Sequence, residues 1–226
     1  MTLAKICGIK SVEDGRAALQ AGADMLGFIF YKPVPRYVTP QQVRNIVSEL
    51  RAETPHWLAV GVFVDEPADQ LNAIVDGCGL DWVQLAGDET PEYCADVERP
   101  AIKVLRIREG RWSAERLAAA REGYEVERFM VDSHVSGFYG GTGVASDWDS
   151  LAGLLDEHIL AGGLRPDNVG QAIRATHPWA VDVSTGVEVN GRKDHSLIRE
   201  FMKAVRCSSP TAGAQGPRRV ASGEAR

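Results

Sequence analysis

Cys7 stands directly before Gly8 near the start of the chain, and Lys5 lies two residues upstream. A thiol in such a place suits base or nucleophile chemistry. Its ordinary pKa is about 8.5, so it needs help to ionise, and a nearby ammonium gives that help. Side chains alternate along a strand, so Lys5 and Cys7 share one face. Asp132 closes the apolar run Phe129-Met130-Val131, where a carboxyl is costly unless it is solvated, paired or put to work. Arg36 offers a planar fork that can clamp a carboxylate bidentately, as a lysine cannot. Gly162-Gly163 and Thr185-Gly186 are turns where backbone N–H groups can approach an anion with no Cβ in the way. Asp182 shares a face with Ser184, and a pair between Asp182 and Lys5 accounts for two charges in otherwise apolar strands. Each residue also has a plainer reading. Cys7 can be a small core residue, Lys5 a strand-start lysine near solvent, Asp132 a helix cap, Arg36 a surface arginine, and Gly162-Gly163 a tight turn.

The elements that must position these groups follow from hydrophobic periodicity. Short β-branched runs at 4–7, 25–30, 58–64, 81–85, 101–106, 128–132, 158–161 and 180–184 read as strands. Amphipathic stretches at 11–21, 39–51, 67–76, 91–97, 113–123, 147–154, 167–176 and 194–206 read as helices. Thr39-Pro40 is a strong helix start and Glu66-Pro67 a weaker one, each read as a cap followed by proline at the first helical position. Ser113 caps a helix without an acid three residues on, since Arg116 stands there. Strands this short, each followed by a helix, pair in parallel through βαβ crossovers. Eight repeats fit a single (β/α)8 barrel over 1–207; an open doubly wound sheet gives the same periodicity and stays as the alternative. Residues 208–226 are Ser-, Pro-, Gly- and Ala-rich with Val220 as the one large apolar residue, so a disordered tail is expected there.

In a barrel, the loops after the strands share one rim. The first strand ends in Cys7-Gly8, the second leads to Lys32 and Arg36, and the sixth ends in Asp132 before the glycine-rich run Gly137 to Gly143. The seventh ends in Ala161-Gly162-Gly163 and the eighth in Ser184-Thr185-Gly186. A base, an acid, a basic loop and two adjacent glycine loops therefore converge, and the last two form a phosphate site.

Length and charge bound the possibilities without excluding a small anion in a local pocket. The chain has 226 residues, 44% of them apolar and 25% charged, with a net charge of −6. This composition leaves ample material for a core and argues against a nucleic-acid partner. No apolar run approaches the ~20 residues of a membrane helix, and the first residues show no secretory pattern. The four cysteines are scattered and never fall at metal-ligand spacing with the five histidines. The expectation is a cytoplasmic protein with reduced thiols, no metal or cofactor, no membrane or nucleic-acid partner, and a monomeric or weakly homodimeric state.

Taken as longer motifs, the residues resemble a family. Lys5-Ile6-Cys7-Gly8-Ile9, Gly22 to Phe30, Pro35-Arg36-Tyr37-Val38, Val60 to Val64, Val83-Gln84-Leu85, Gly140-Gly141-Thr142-Gly143 with Asp147-Trp148, Leu160 to Val169 and Val181 to Glu188 together resemble phosphoribosylanthranilate isomerase, in the family's order from about residue 4 to 206. The resemblance implies a cofactor-free barrel acting in tryptophan biosynthesis. Its reaction is the Amadori rearrangement of N-(5′-phosphoribosyl)anthranilate to 1-(2-carboxyphenylamino)-1-deoxyribulose 5-phosphate. It implies Cys7 as general base, Asp132 as general acid and Arg36 as the contact to the anthranilate carboxylate. Gly162, Gly163, Thr185 and Gly186 fall on the family's phosphate loops, with Asp182 and Ser184 beside them in the substrate site. Two residues depart from the pattern: Ala86 stands where the family usually has histidine, and Ser146 replaces a phenylalanine. The alternatives are a related sugar-phosphate isomerase, which would carry an aspartate where Cys7 stands, and a catalytically silent phosphate-binding barrel.

Overall fold

The computed structural model describes residues 1–106, 112–132 and 148–208. Eight parallel strands run in sequence order around a closed barrel, with the last hydrogen-bonded to the first. They are β1 (Leu3–Cys7), β2 (Met25–Ile29), β3 (Leu58–Phe63), β4 (Trp82–Leu85), β5 (Ala101–Arg106), β6 (Arg128–Asp132), β7 (Ile159–Ala161) and β8 (Ala180–Val183). Closure excludes the open sheet. It also sets the registers that matter: Lys5 lies opposite Asp182 on β8, and Cys7 opposite Gly27 on β2.

Helices α1 (Val12–Gln20), α2 (Pro40–Glu53), α3 (Ala68–Cys78), α4 (Pro91–Ala95), α5 (Ala114–Arg121), α6 (Val169–Thr176) and α7 (His195–Ser208) surround the strands. Their starts follow local chemistry. Thr39 accepts from the Gln42 N–H while the Gln42 side chain answers the Thr39 N–H, a full capping box ahead of Pro40. Ser113 accepts from the Arg116 N–H although no acid stands there to reciprocate. At α3 the expected cap is displaced: Pro67, not Glu66, takes the cap position, and no side chain satisfies the first turn.

Three further departures come from segments with weak periodicity. The helix expected over 147–154 is a 3-10 turn at Trp148–Leu151, closed by Gly153 at φ 73°. After β8 the chain forms a 3-10 turn (Thr185–Val187) and a two-stranded hairpin of β9 (Glu188–Val189) and β10 (Arg192–Lys193) before α7. Ser208, expected to open the tail, is the last residue of α7, and its hydroxyl accepts from Arg174 at 3.1 Å. The rest of that expected tail lies outside the described residues.

Two apolar layers hold the barrel. Between sheet and helices lie Leu26, Leu50, Val83, Val131, Ile173 and Phe201, all buried. Inside the barrel lie Met25, Val60, Trp82, Ile102, Met130 and Ile159. At about 1.5–3 kcal/mol for each fully buried large side chain, this packing offsets the cost of the few charges it encloses. Trp82 and Trp179 stack with ring centroids 6.1 Å apart near the N-terminal ends of β4 and β8, so apolar mass fills that end and chemistry is left to the other.

Candidate active site

Cys7 is the last residue of β1, and Lys5 is fully buried beneath it on the same inward face. Lys5 Nζ donates to Asp182 Oδ1 at 2.9 Å, the cross-strand pair that two charges in apolar strands required. Gly27 makes the room. A Cβ there would lie 2.8 Å from both Cys7 Sγ and Lys5 Nζ, so thiol and ammonium meet where β2 has no side chain. Burial pulls the Lys5 pKa down, but the Asp182 carboxylate, joined by Cys7 whenever that thiol is ionised, outweighs it and holds the ammonium's pKa above its ordinary value. Burial also pushes the Cys7 thiol up, further than Lys5 pulls it down. The free site is therefore a thiol beside a fixed cation, one that ionises at a cost the ammonium lowers.

Arg36 and Ser184 both pack against Gly8, the residue after Cys7. Gly8 sits at φ 79°, and a Cβ would meet Arg36 Cδ at 2.9 Å and Ser184 Oγ at 3.2 Å. Glycine is required there for conformation and for space. Arg36 Nη1 lies 3.4 Å from Glu188 Oε2, while Glu188 Oε1 accepts from Lys193 at 2.6 Å. Lys193 also donates to the Ser184 carbonyl at 2.9 Å. The Glu188 and Lys193 side chains are 7% and 2% exposed, so the hairpin carries a buried ion pair that steadies one edge of the Arg36 fork. The Ser184 hydroxyl is buried without a hydrogen-bond partner among the described residues.

The two glycine loops touch, as barrel closure demands. A Cβ on Gly186 would lie 1.8 Å from the Leu164 carbonyl oxygen, so the loop after β8 packs backbone to backbone on the loop after β7. Gly162 and Gly163 take φ 97° and 64°. Asn168 locks this loop: its side-chain N–H donates to the Gly163 carbonyl at 3.0 Å and its oxygen accepts from the Arg165 N–H at 2.8 Å. Gly163 itself faces open space.

Asp132 ends β6 opposite Ala161, the residue before the glycine pair. Arg106 Nε lies 3.9 Å from Asp132 Oδ2. Ala86 is buried on the neighbouring wall, in a loop pinned by Glu89. The Glu89 carboxylate accepts from the Asp65 and Gly87 N–H groups, each at 3.0 Å, and from Lys103 at 2.6 Å. The Gly137 to Gly143 run and Ser146 lie outside the described residues. Among the described residues, no group of three His, Cys, Asp or Glu is placed to hold a metal ion, and no helix is long and apolar enough to cross a membrane.

Sequence reasoning expected Cys7, Asp132, Arg36 and the glycine loops at strand ends and in the loops that follow, and a Lys5–Asp182 pair deeper in the barrel, and the structure places them so. Sequence reasoning missed the roles of Gly8, Gly27, Glu188, Lys193, Asn168 and Arg106. A glycine inside the apolar run Met25-Leu26-Gly27-Phe28 was a usable signal for close approach. Glu188 and Lys193 gave none, since two charges in a loop look solvated.

Comparison with known proteins agrees with this geometry. Residues 4–204 match the family model described as N-(5′-phosphoribosyl)anthranilate (PRA) isomerase. The N-(5′-phosphoribosyl)anthranilate isomerase of Pseudomonas fluorescens SBW25 is 48% identical over 208 residues, covering 91% of this chain and 96% of that protein. The crystal structure of phosphoribosyl anthranilate isomerase from Thermotoga maritima superposes with a TM-score of 0.81 at 35% identity, covering 92% of this chain and all of that one. A second structure of such an isomerase, in complex with reduced 1-(o-carboxyphenylamino)-1-deoxyribulose 5-phosphate, gives a TM-score of 0.78 at 33% identity, with 92% of this chain covered and all of that one. With the family model over nearly the whole barrel and relatives at this identity, the chain belongs to the N-(5′-phosphoribosyl)anthranilate isomerase family and is an isomerase of tryptophan biosynthesis.

Proposed function

We propose that the chain carries out the family's Amadori rearrangement with Cys7 as general base and Asp132 as general acid. The observation that carries this reading is the Cys7–Lys5–Asp182 arrangement at the barrel mouth: a thiol and an ammonium around one point, with the ammonium held by a carboxylate. Asp132 protonates the furanose ring oxygen. The ring C–O bond breaks as the anilino nitrogen's lone pair forms the C1=N bond. The Cys7 thiolate then takes the proton from C2, and that electron pair forms C1=C2 and neutralises the iminium. The enolamine's 2-hydroxyl gives up its proton while C1 gains one, leaving the ketone. One acid and one base suffice, with no net electron transfer.

Substrate recognition follows from charge. The free edge of the Arg36 fork takes the anthranilate carboxylate. Gly162, Gly163, Thr185 and Gly186 line the phosphate subsite with backbone N–H groups, and the Ser184 hydroxyl serves the same ligand. Asp182 acts through Lys5, which it holds charged. The four free cysteines support a cytoplasmic setting.

The test is genetic. A bacterium lacking this isomerase should grow without tryptophan when supplied with the chain. It should not grow when supplied with soluble Cys7→Ser or Asp132→Asn chains. Failure of the parent chain, expressed and folded, to restore growth contradicts the reading; growth with either variant at the parent's rate removes that residue from its role.

A further inference from the structure

Arg106 is the last residue of β5 and lies opposite Asp132 across the strand pair. Ile102 and Val104 of the same strand belong to the inner core, so strand alternation turns Arg106 inward at the mouth of the barrel. Its Nη1 donates to the Ala86 carbonyl at 2.6 Å, and its Nε faces Asp132 Oδ2 at 3.9 Å. The guanidinium therefore spans the rim from the end of β4 to the end of β6. Its anchor is rigid, because Glu89, Lys103 and Asp65 pin the loop that carries Ala86. Lys103 donates to the Gly87 carbonyl at 2.9 Å, and the Asp88 N–H donates to Asp65 at 2.7 Å. Ala86 brings only a methyl group to this wall, and Arg106 is a polar group it presents beside the acid among the described residues.

We propose that Arg106 is a positioning residue for the general acid: held on the Ala86 carbonyl, it orients the Asp132 carboxyl and stabilises the carboxylate left when the proton passes to the ring oxygen. This inference rests on the assignment of Asp132 as the acid. The charge on Asp132 develops as the proton leaves, so an interaction with that charge is stronger in the transition state than in the bound ground state. Its effect belongs to kcat rather than to KM. The Arg106 side chain is 49% exposed, so solvent screens the pair and the effect is smaller than for an enclosed donor.

The experiment measures kcat and KM with phosphoribosylanthranilate for the full chain and for Arg106→Gln, Arg106→Lys, Asp132→Asn and the Arg106→Gln/Asp132→Asn double variant. Arg106→Gln should lower kcat about tenfold and leave KM within about twofold, with an unchanged melting temperature. Arg106→Lys, which keeps the charge but not the fork, should recover part of the loss. In the Asp132→Asn background, assayed at high enzyme concentration, Arg106→Gln should cost nothing further, because the carboxylate it serves is gone. An unchanged kcat in Arg106→Gln overturns the inference, and so does an equal loss in the Asp132→Asn background. A raised KM with unchanged kcat also overturns it, because it places Arg106 on the substrate instead of the acid. An inactive parent, or an Asp132→Asn chain as fast as the parent, overturns the reading on which the inference stands.

Discussion

At the scale of single residues, the site rests on charges placed where they are expensive. Lys5 is fully buried and Asp182 nearly so, and the pair survives because each answers the other's charge. The pH dependence follows. On the proposed roles, the productive form has Cys7 ionised and Asp132 protonated, so the parent profile of kcat/KM should be bell-shaped. In Asp132→Asn, Cys7 is the remaining titrating partner. Its thiol is pushed above the ordinary value by burial, and the thiolate is the working form. The residual activity should therefore climb as pH rises through that ionisation and should not fall again. Steady-state rates across the accessible pH range check this; a bell that keeps its shape in Asp132→Asn places the acid elsewhere. These residues were legible in the sequence because a lysine and an aspartate inside apolar strands demand an explanation. Arg106 was not, since an arginine ending a strand reads equally well as a surface residue.

At the scale of elements, strands and glycine turns were legible and short irregular pieces were not. Eight β-branched runs with helical stretches between them carry the barrel. A hairpin of two-residue strands has no period to detect, so the Glu188–Lys193 pair and its hold on Arg36 emerged only when the chain closed on itself. The 3-10 turn at Trp148–Leu151 looked like a helix because one turn of either kind shows the same apolar spacing. The two glycine loops separate a packing role from a binding role. Gly186→Ala should destabilise the fold by several kcal/mol, because its methyl would enter the Leu164 carbonyl. Gly163→Asp faces open space at φ 64°, and aspartate tolerates that conformation, so stability should fall by only about 1–2 kcal/mol. Its carboxylate would stand beside the phosphate, so affinity for a phosphorylated product analogue should drop at least about tenfold. Denaturant melts and calorimetric titration of the two variants check this; equal affinity of the parent for phosphorylated and dephosphorylated analogues contradicts the phosphate site.

At the scale of the whole molecule, stability is set away from the chemistry, in the filled barrel and the helix layer, and His158 is an ionisable group enclosed there without a catalytic use. His158, just before β7, is buried with neither ring nitrogen hydrogen-bonded among the described residues, and it packs on Phe129. Burial, aided by the nearby Arg121 and Arg128 cations against the weaker pull of Glu157 and Asp156, brings its pKa down from 6.5 to about 4. Below about 6.5 the unfolded chain takes up a proton that the folded chain refuses. His158 therefore erodes stability as pH falls from about 6.5 towards 4, by about 1–3 kcal/mol in all. His158→Phe should flatten that part of the stability curve; an unchanged slope in urea melts between those pH values contradicts it. The central claim concerns turnover, and one measurement meets it directly. The purified chain is mixed with freshly made phosphoribosylanthranilate, and the loss of anthranilate-type fluorescence is followed beside Cys7→Ser. The account predicts loss proportional to parent enzyme and a rate about two to four orders of magnitude lower for the folded variant, the range for a lost acid or base. Fluorescence loss no faster than in buffer, or a Cys7→Ser chain as fast as the parent, would contradict it.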